Sequence, residues 1–282
     1  IVIVTLKSEN IIDQCIKSIS QNIPIIVIEN SNDEKFKDYL ESKYKNLKCV
    51  LSKSNIGMGP ANNIGIKLAE TQYVLILNPD VILQPNTLSE IFLSSEKIKG
   101  FSILSPISSH IDYPNYGFFE KRKRVHIEKA PFEVDYIDGF AMLFNKNKFK
   151  DDNYFDENFF LYLENNDLCL RTKRKGGLIF CVPSAKINHV GSMTVDEKYK
   201  EEVELSRNWH WLWSKYYFNK KNFSVFKALV ECLPSYISSI IKLLFYFLIN
   251  NSLKKKIYFN RASGFYNALM GKSSWYRPKI ND

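Results

Sequence analysis

The first hundred residues alternate short apolar runs with stretches in which apolar positions recur every three or four residues. Ile1–Leu6, Ile25–Glu29, Lys48–Leu51, Tyr73–Leu77 and Phe101–Leu104 are runs of the kind that strands show when a sheet buries both faces. Between them, Ile12, Cys15, Ile16 and Ile19 share one helical face, and Phe36–Tyr44, Asn62–Glu70 and Thr87–Lys97 also read as helices. The polar turn Asn30-Ser31-Asn32-Asp33 supplies a cap for the second of these. Strands alternating with helices predict an α/β fold, a mostly parallel sheet with helices on both faces. Ligands of such sheets gather beyond the C-terminal strand ends, here Thr5–Lys7, Glu29–Asn30, Ser52–Gly59 and Asn78–Asp80.

Further along, the pattern loosens. Residues 106–133 hold Pro106, Pro114, Pro131 and the charged run Glu120–Arg124, and read as an irregular excursion over the surface. Tyr136–Phe144 reads as a strand broken at Asp138-Gly139, where glycine permits a bulge or close approach to a ligand. A helix over Glu164–Lys175 is stopped by Gly176-Gly177, and Leu178–Val182 and Ala185–Asn188 follow as two strands ending at His189. After about Glu201 the character changes. Aromatic residues crowd between Trp209 and Phe218, and the apolar run Leu229–Ile249 is interrupted by Glu231, Pro234 and Lys242. That run reads equally as an interfacial helix with a basic flank, Lys254-Lys255-Lys256, or as the core helix of a small subdomain.

Charge sharpens this division. The net charge is +9, but residues 207–282 hold 13 Lys/Arg against 2 Asp/Glu, so the rest of the chain is slightly acidic. An excess confined to one end points to a local partner: anionic lipid, a phosphorylated acceptor or nucleic acid. The apolar run beside it suits lipid better than nucleic acid. Five scattered cysteines without C-x-x-C spacing argue against a disulfide framework and a zinc site, and predict a reducing cytoplasm. The chain opens directly on a strand pattern without a secretory leader, in keeping with that expectation.

Three groups of residues suggest chemistry. The loop from Ser54 through Gly57 and Gly59 opens a helix, an arrangement that can offer backbone N–H groups to a phosphate, although a capped helix looks the same. Asn78-Pro79-Asp80 ends a strand with a carboxylate placed to hold a hard divalent cation, or is simply a turn. Glu164 and Asp167 lie one turn apart at a helix start, either as caps or as a general base with a supporting acid. His189 is a further candidate metal ligand at a strand end.

Seven stretches in order resemble the inverting glycosyltransferases of family 2, with the GT-A fold, most of all their rhamnosyltransferase-like branch. They are Ile1–Thr5, Ile28–Asp33, Asn55–Asn63, Leu77–Asp80, Asp138-Gly139, Phe160–Arg171 and Ile187–His189, within a span of residues 1 to about 218. The resemblance implies a GT-A domain over 1–218, with a nucleotide-sugar half to about 105 and an acceptor half after it. A helical, basic tail over 219–282 would follow, and a cut near residue 220 is expected to leave a soluble donor-binding domain provided that the tail does not also cover core surface. It implies nucleotide contacts from Thr5, Lys7, Glu29, Asn30, Asn55, Gly57, Asn63 and Asn78. It implies Mg²⁺ or Mn²⁺ on Asp80 and His189, and a donor or acceptor pocket with Asp138, Gly139, Arg171 and Trp209. The family's metal motif has an acid where this chain has Asn78. Many relatives place the base where this chain has Asn165, which leaves Glu164 or Asp167 for that role, with Glu164 preferred. The implied activity is transfer of a sugar from a nucleotide-sugar donor, dTDP-rhamnose-like or a UDP-sugar, to a glycan or lipid-linked acceptor. It would serve cell-surface polysaccharide biosynthesis, and the basic excess and apolar run of the tail add the expectation of peripheral contact with anionic lipid on the inner face of the cytoplasmic membrane, with no nucleic acid.

Two other readings compete. A sugar nucleotidyltransferase resembles its own kin through a Gly- and Arg-rich loop after the first strand, and Thr5-Leu6-Lys7-Ser8-Glu9-Asn10 contains no glycine. A catalytically weak binding relative would fit the two asparagine replacements, and EDTA-sensitive donor hydrolysis separates it from a working enzyme.

Overall fold

A computed structural model describes residues 1–110, 114–119, 130–149, 153–189 and 197–280. The expectation for the run Glu120–Arg124 lies outside these. The chain folds as two compact units, Ile1–Asp156 with Leu168–Val195, and Glu157–Asp167 with Asp196–Asp282.

In the first unit the elements run β1 (Val2–Thr5), α1 (Ile12–Lys17), β2 (Ile25–Glu29), α2 (Glu34–Lys43), β3 (Leu47–Leu51), α3 (Met58–Leu68), β4 (Tyr73–Leu77), β5 (Val81–Leu83), α4 (Thr87–Lys97) and β6 (Phe101–Ser108). The short strands β7 (Tyr116–Gly117), β8 (Phe132–Glu133) and β9 (Tyr136–Ile137) precede β10 (Ala141–Asn145), and β11 (Leu178–His189) follows α5 (Glu164–Arg174). The main sheet has the order β3-β2-β1-β4-β10-β6-β11-β5, with β8 also on β11. Strands β3, β2, β1 and β4 pair in parallel, as their crossover helices require. Beyond β4 the expected parallel pattern gives way to a mixed sheet. β10 runs antiparallel to both β4 and β6, and β5 antiparallel to β11. The physical reason is the connection: among the described residues neither β5 nor β10 is reached through a crossover helix that would turn the chain back into parallel.

Successive residues on these strands feed opposite cores. Ile3, Val27, Leu75 and Leu77 join one cluster with Ile12, Ile16, Phe36 and Ile91 from α1, α2 and α4. Val2, Val74, Ile76 and Ile103 join another with Ile66 of α3. Helix α3 sits so close to β1 that a Cβ on Gly65 would lie 2.3 Å from Val2 Cγ1. Two details depart from the sequence pattern. β6 continues through Pro106 to Ser108, where an irregular segment was expected. The two strands expected at 178–188 are one, with a register shift between Val182 and Lys186 around Pro183, which has no N–H for the ladder.

The second unit is helical: α6 (Lys200–Asn222), α7 (Val225–Leu248) and α8 (Ser252–Leu269). Its core gathers Trp209, Leu212, Trp213 and Tyr216 from one face of α6, Ala228 and Cys232 from α7, and Phe265 and Ala268 from α8. The boundary expected at residue 218 therefore falls inside α6, whose aromatic face needs the later helices to cover it. A Cβ on Gly264 would meet the Trp209 carbonyl oxygen at 2.0 Å, so α8 also crosses α6 at close range.

Candidate active site

At the C-terminal edge of the first unit, Asn30 organises the loop that precedes α3. Its Nδ2 donates to Asn55 Oδ1 (3.2 Å) and to the Gly57 carbonyl (3.3 Å), and its Oδ1 accepts from Ser52 Oγ (2.9 Å) and Ile56 N (3.0 Å). Asn55 Oδ1 also takes the Gly57 N–H at 3.2 Å. Two N–H groups of the expected phosphate cradle are thus already bonded within the loop. Gly57, at φ 95°, supplies the left-handed turn into the helix. Glu29 is fully buried, and its carboxylate accepts the N–H groups of Ser31 (2.9 Å) and Asp33 (2.7 Å). Asp33 then caps α2 through Phe36 N at 3.0 Å, with Lys7 Nζ 3.8 Å from its other oxygen. Thr5 is fully buried beside this loop, and its Oγ1 has no hydrogen-bond partner among the described residues.

The turn Asn78-Pro79-Asp80 links β4 to β5, and the antiparallel pairing of β5 with β11 sets His189 opposite Val81. Asp80 therefore arrives beside the imidazole: His189 Nε2 is 3.2 Å from Asp80 Oδ2. Asp80 Oδ1 is buried and unpartnered among the described residues. Phe140 stacks on the His189 ring, with centroids 4.2 Å apart, and fixes its plane. Asn78 is held from both sides, its N–H on the Phe140 carbonyl (2.9 Å) and its carbonyl 3.6 Å from Cys15 Sγ. Burial, then the charge of Asp80, push the Cys15 thiol up to about 12, so it stays protonated. Asp138 and Gly139 occupy the turn between β9 and β10 that leads into Phe140. Burial raises the Asp138 carboxyl above its ordinary range, and the nearby His189 offsets part of that shift.

In the second unit, Glu164 follows two consecutive residues in the left-handed region, Tyr162 (φ 71°) and Leu163 (φ 66°). Each costs roughly 1–2 kcal/mol for an L-residue, and strain of this kind concentrates at functional sites. Glu164 Oε2 is buried without a partner among the described residues. Burial pushes its carboxyl up to about 7, only partly opposed by its own backbone N–H. Asp167, one turn on, is the opposite case. It is fully buried, and its oxygens accept from Lys221 Nζ (2.8 Å) and Asn222 Nδ2 (2.9 Å) at the end of α6.

A sequence profile described as Glycosyl transferase family 2 matches residues 1–151. The chain belongs to glycosyl transferase family 2. Among its relatives are the low-salt glycan biosynthesis hexosyltransferase Agl10 of Haloferax volcanii, 25% identical over 62% of this chain and 61% of that protein. N-acetylglucosaminyl-diphospho-decaprenol L-rhamnosyltransferase of Mycobacterium tuberculosis is 23% identical over 59% of this chain and 66% of its own length. Rhamnosyltransferase WbbL of Escherichia coli is 25% identical over 67% and 82%. The chain thus spans less than two thirds of the length of the first two. Its fold is similar to that of S. aureus TarS 1-349 in complex with UDP-GlcNAc (TM-score 0.53, 16% identity, 100% of this chain and 93% of that one). It is also similar to GalNAc-T7 with UDP, GalNAc and Mn²⁺ (TM-score 0.54, 14% identity, 84% and 57%). The architecture is the α/β GT-A fold with C-terminal helices.

Within this family 2 chain, three residues expected to touch ligand have other work. Trp209 is fully buried among Trp213, Trp275 and Tyr276, and has no surface to offer a pocket. Asn63 clamps the chain, its amide accepting from Phe155 N and donating to Phe155 O, both at 2.9 Å. Arg171 donates to the carbonyls of Asn153 and Tyr154, fixing the segment before Phe155. Sequence reasoning missed Phe140, Cys15, Lys221 and Asn222, which hold His189, Asn78 and Asp167 in place. Only Phe140 carried a local signal, lying next to Asp138-Gly139.

Proposed function

We propose that the protein is an inverting glycosyltransferase that moves a sugar from a nucleotide-diphosphate donor to a hydroxyl of a glycan or lipid-linked acceptor. One observation carries the reading: Asp80, at the end of the turn from β4 into β5, has one oxygen against His189 and the other buried and unpartnered among the described residues. A buried carboxylate oxygen without a donor is costly unless a cation or proton meets it. Asp80 and His189 fit a divalent ion, Mg²⁺ or Mn²⁺, as an oxygen and a nitrogen ligand. Bound there, the ion supplies charge neutralisation for the departing diphosphate.

This chain's own residues do the rest. Glu164, with its carboxyl near neutrality, takes the proton of the acceptor hydroxyl as that oxygen attacks the anomeric carbon. The sugar–phosphate bond breaks on the opposite side, inverting the centre without a covalent enzyme intermediate. Asp167 serves as an anchor for the helix that carries Glu164. Glu29, Asn30 and Asn55 hold the loops on which the nucleotide rests. The named activities of the hexosyl- and rhamnosyltransferase relatives, and the UDP-sugar in the TarS structure, support a dTDP-rhamnose-like or UDP-sugar donor. We place the enzyme in cell-surface polysaccharide biosynthesis, on the cytoplasmic leaflet as a peripheral protein.

A nucleotide-sugar panel read by thermal shift, with Mn²⁺ and with EDTA, tests the proposal, because bound donor stabilises the fold by mass action. A metal-dependent shift with one donor class, followed by donor turnover, is the expected result. Binding without any turnover would instead favour the weak relative suggested by Asn78 and Asn165.

A further inference from the structure

Helix α7 carries a continuous apolar stripe that no described residue of its own unit covers. Phe226, Val230, Leu233, Ile237, Ile241 and Leu244 recur every three or four residues, the spacing of one helical face, and each is between 38% and 76% exposed. The charges that interrupt this run in the sequence do not interrupt the stripe. Glu231 lies about a third of a turn away and pairs with Lys215 of α6 (3.4 Å) and with Lys227 (3.1 Å). Lys242 lies on the same far side and stands 5.3 Å over the Tyr258 ring of α8. Ala228, Cys232 and Ser239 bury the inner face.

We infer that this stripe docks in the plane of a bilayer that contains anionic lipid. The occupant is argued from charge. Residues 207–282 carry 13 basic and 2 acidic residues, with Lys254-Lys255-Lys256 near the start of α8, the helix that follows. A second copy of the chain would bring these like charges together, whereas phosphate headgroups complement them. The orientation is argued from packing. Although α7 is long and apolar enough to cross a membrane, spanning would strip Glu231 and Lys242 of their partners on α6 and α8. An in-plane helix keeps both and immerses only the outer face. The inference rests on the lipid-linked-acceptor reading for its biological use alone.

The full chain is tested by co-sedimentation with phosphatidylcholine vesicles, with and without phosphatidylglycerol. Binding to the anionic vesicles, weakened by salt and released by carbonate, is expected. The double variant Ile237→Glu/Ile241→Glu should lower the vesicle-bound fraction about tenfold or more, since it puts charge on the immersed face. Its circular dichroism and its donor-induced thermal shift should stay unchanged, because both sites are exposed. No vesicle binding at low salt overturns the inference. So does a wild-type dimer that the double variant splits, which would assign the stripe to a second copy. Resistance to carbonate overturns the in-plane orientation. Loss of donor binding with intact vesicle binding would sink the transferase reading and leave the docking surface standing.

Discussion

Asp80 and His189 meet at 3.2 Å although 109 residues separate them, because β5 and β11 pair antiparallel with Val81 opposite His189. The pair is a consequence of register, and a one-residue slip of β5 would carry the carboxylate to the other face.

Asp80→Asn is predicted to uncouple metal from fold. The variant should melt at the same temperature as the wild type or higher, since it removes a buried charge one of whose oxygens has no donor among the described residues. Its Mn²⁺-dependent donor shift should disappear. Retention of that shift would remove Asp80 from the metal site.

Glu164 sets a pH prediction. Turnover should rise as pH passes through about 7 and the base loses its proton, and Glu164→Gln should be slower by ~10²–10⁴-fold with donor affinity kept. The stability effect has the opposite sign. The folded carboxyl, near 7, lies above its ordinary 4.5, so its contribution is complete below 4.5 and is lost as pH rises through 7. Glu164→Gln should therefore be the more stable protein at pH 8, by on the order of 3 kcal/mol. Urea titrations at pH 5 and pH 8 check this.

Asp167 and Lys221 give an ordering test. Lys221→Met leaves a fully buried carboxylate with Asn222 as its remaining α6 donor, and should cost about 3 kcal/mol or more. Asp167→Asn keeps an acceptor for Asn222 and lets Lys221 turn to water, and should cost about 1–2 kcal/mol. If Asp167→Asn instead abolishes turnover with its stability intact, Asp167 is the base and Glu164 is not.

Gly65→Ala should destabilise the first unit by about 1–3 kcal/mol, as overpacking does, because the new methyl would overlap Val2 Cγ1. Val2→Ala in the same chain should recover part of the loss, a coupling readable in a double-mutant cycle. Additive losses would mean that α3 moves away from β1.

The alternation of runs and helices revealed the first four parallel strands, since β1, β2 and β4 are apolar on both faces and the edge strand β3 keeps an apolar run broken only by Lys48. It could not reveal β5, only three residues long, or the antiparallel entry of β10, which depends on which edge the chain meets after leaving β6. Asp80 and His189 were visible as strand-end residues in a family pattern, but nothing local to either specified their distance. Trp209 and Asn63 misled for one reason. An aromatic or an amide in a motif reads the same whether it faces ligand or core, and only tertiary packing separates the two. Asp167 needed Lys221, 54 residues away, before its carboxylate could be read as an anchor.

The second unit is assembled from two pieces, Glu157–Asp167 and Asp196–Asp282. The order in which a ribosome releases the chain gives this a consequence. The strands of the first unit, β11 included, can close as soon as they emerge, while Phe159, Phe160 and Asp167 wait for helices not yet made. Phe159 packs on Tyr217, Phe160 on His210, and Asp167 on Lys221 and Asn222. A chain cut near residue 220 would keep Tyr217 and His210 but lose Lys221 and Asn222, the two α6 donors of the Asp167 carboxylate, and the helices that cover the aromatic face of α6. The proposed base sits between those phenylalanines and that carboxylate, so nascent chains should acquire activity only after the end of α6 has been made.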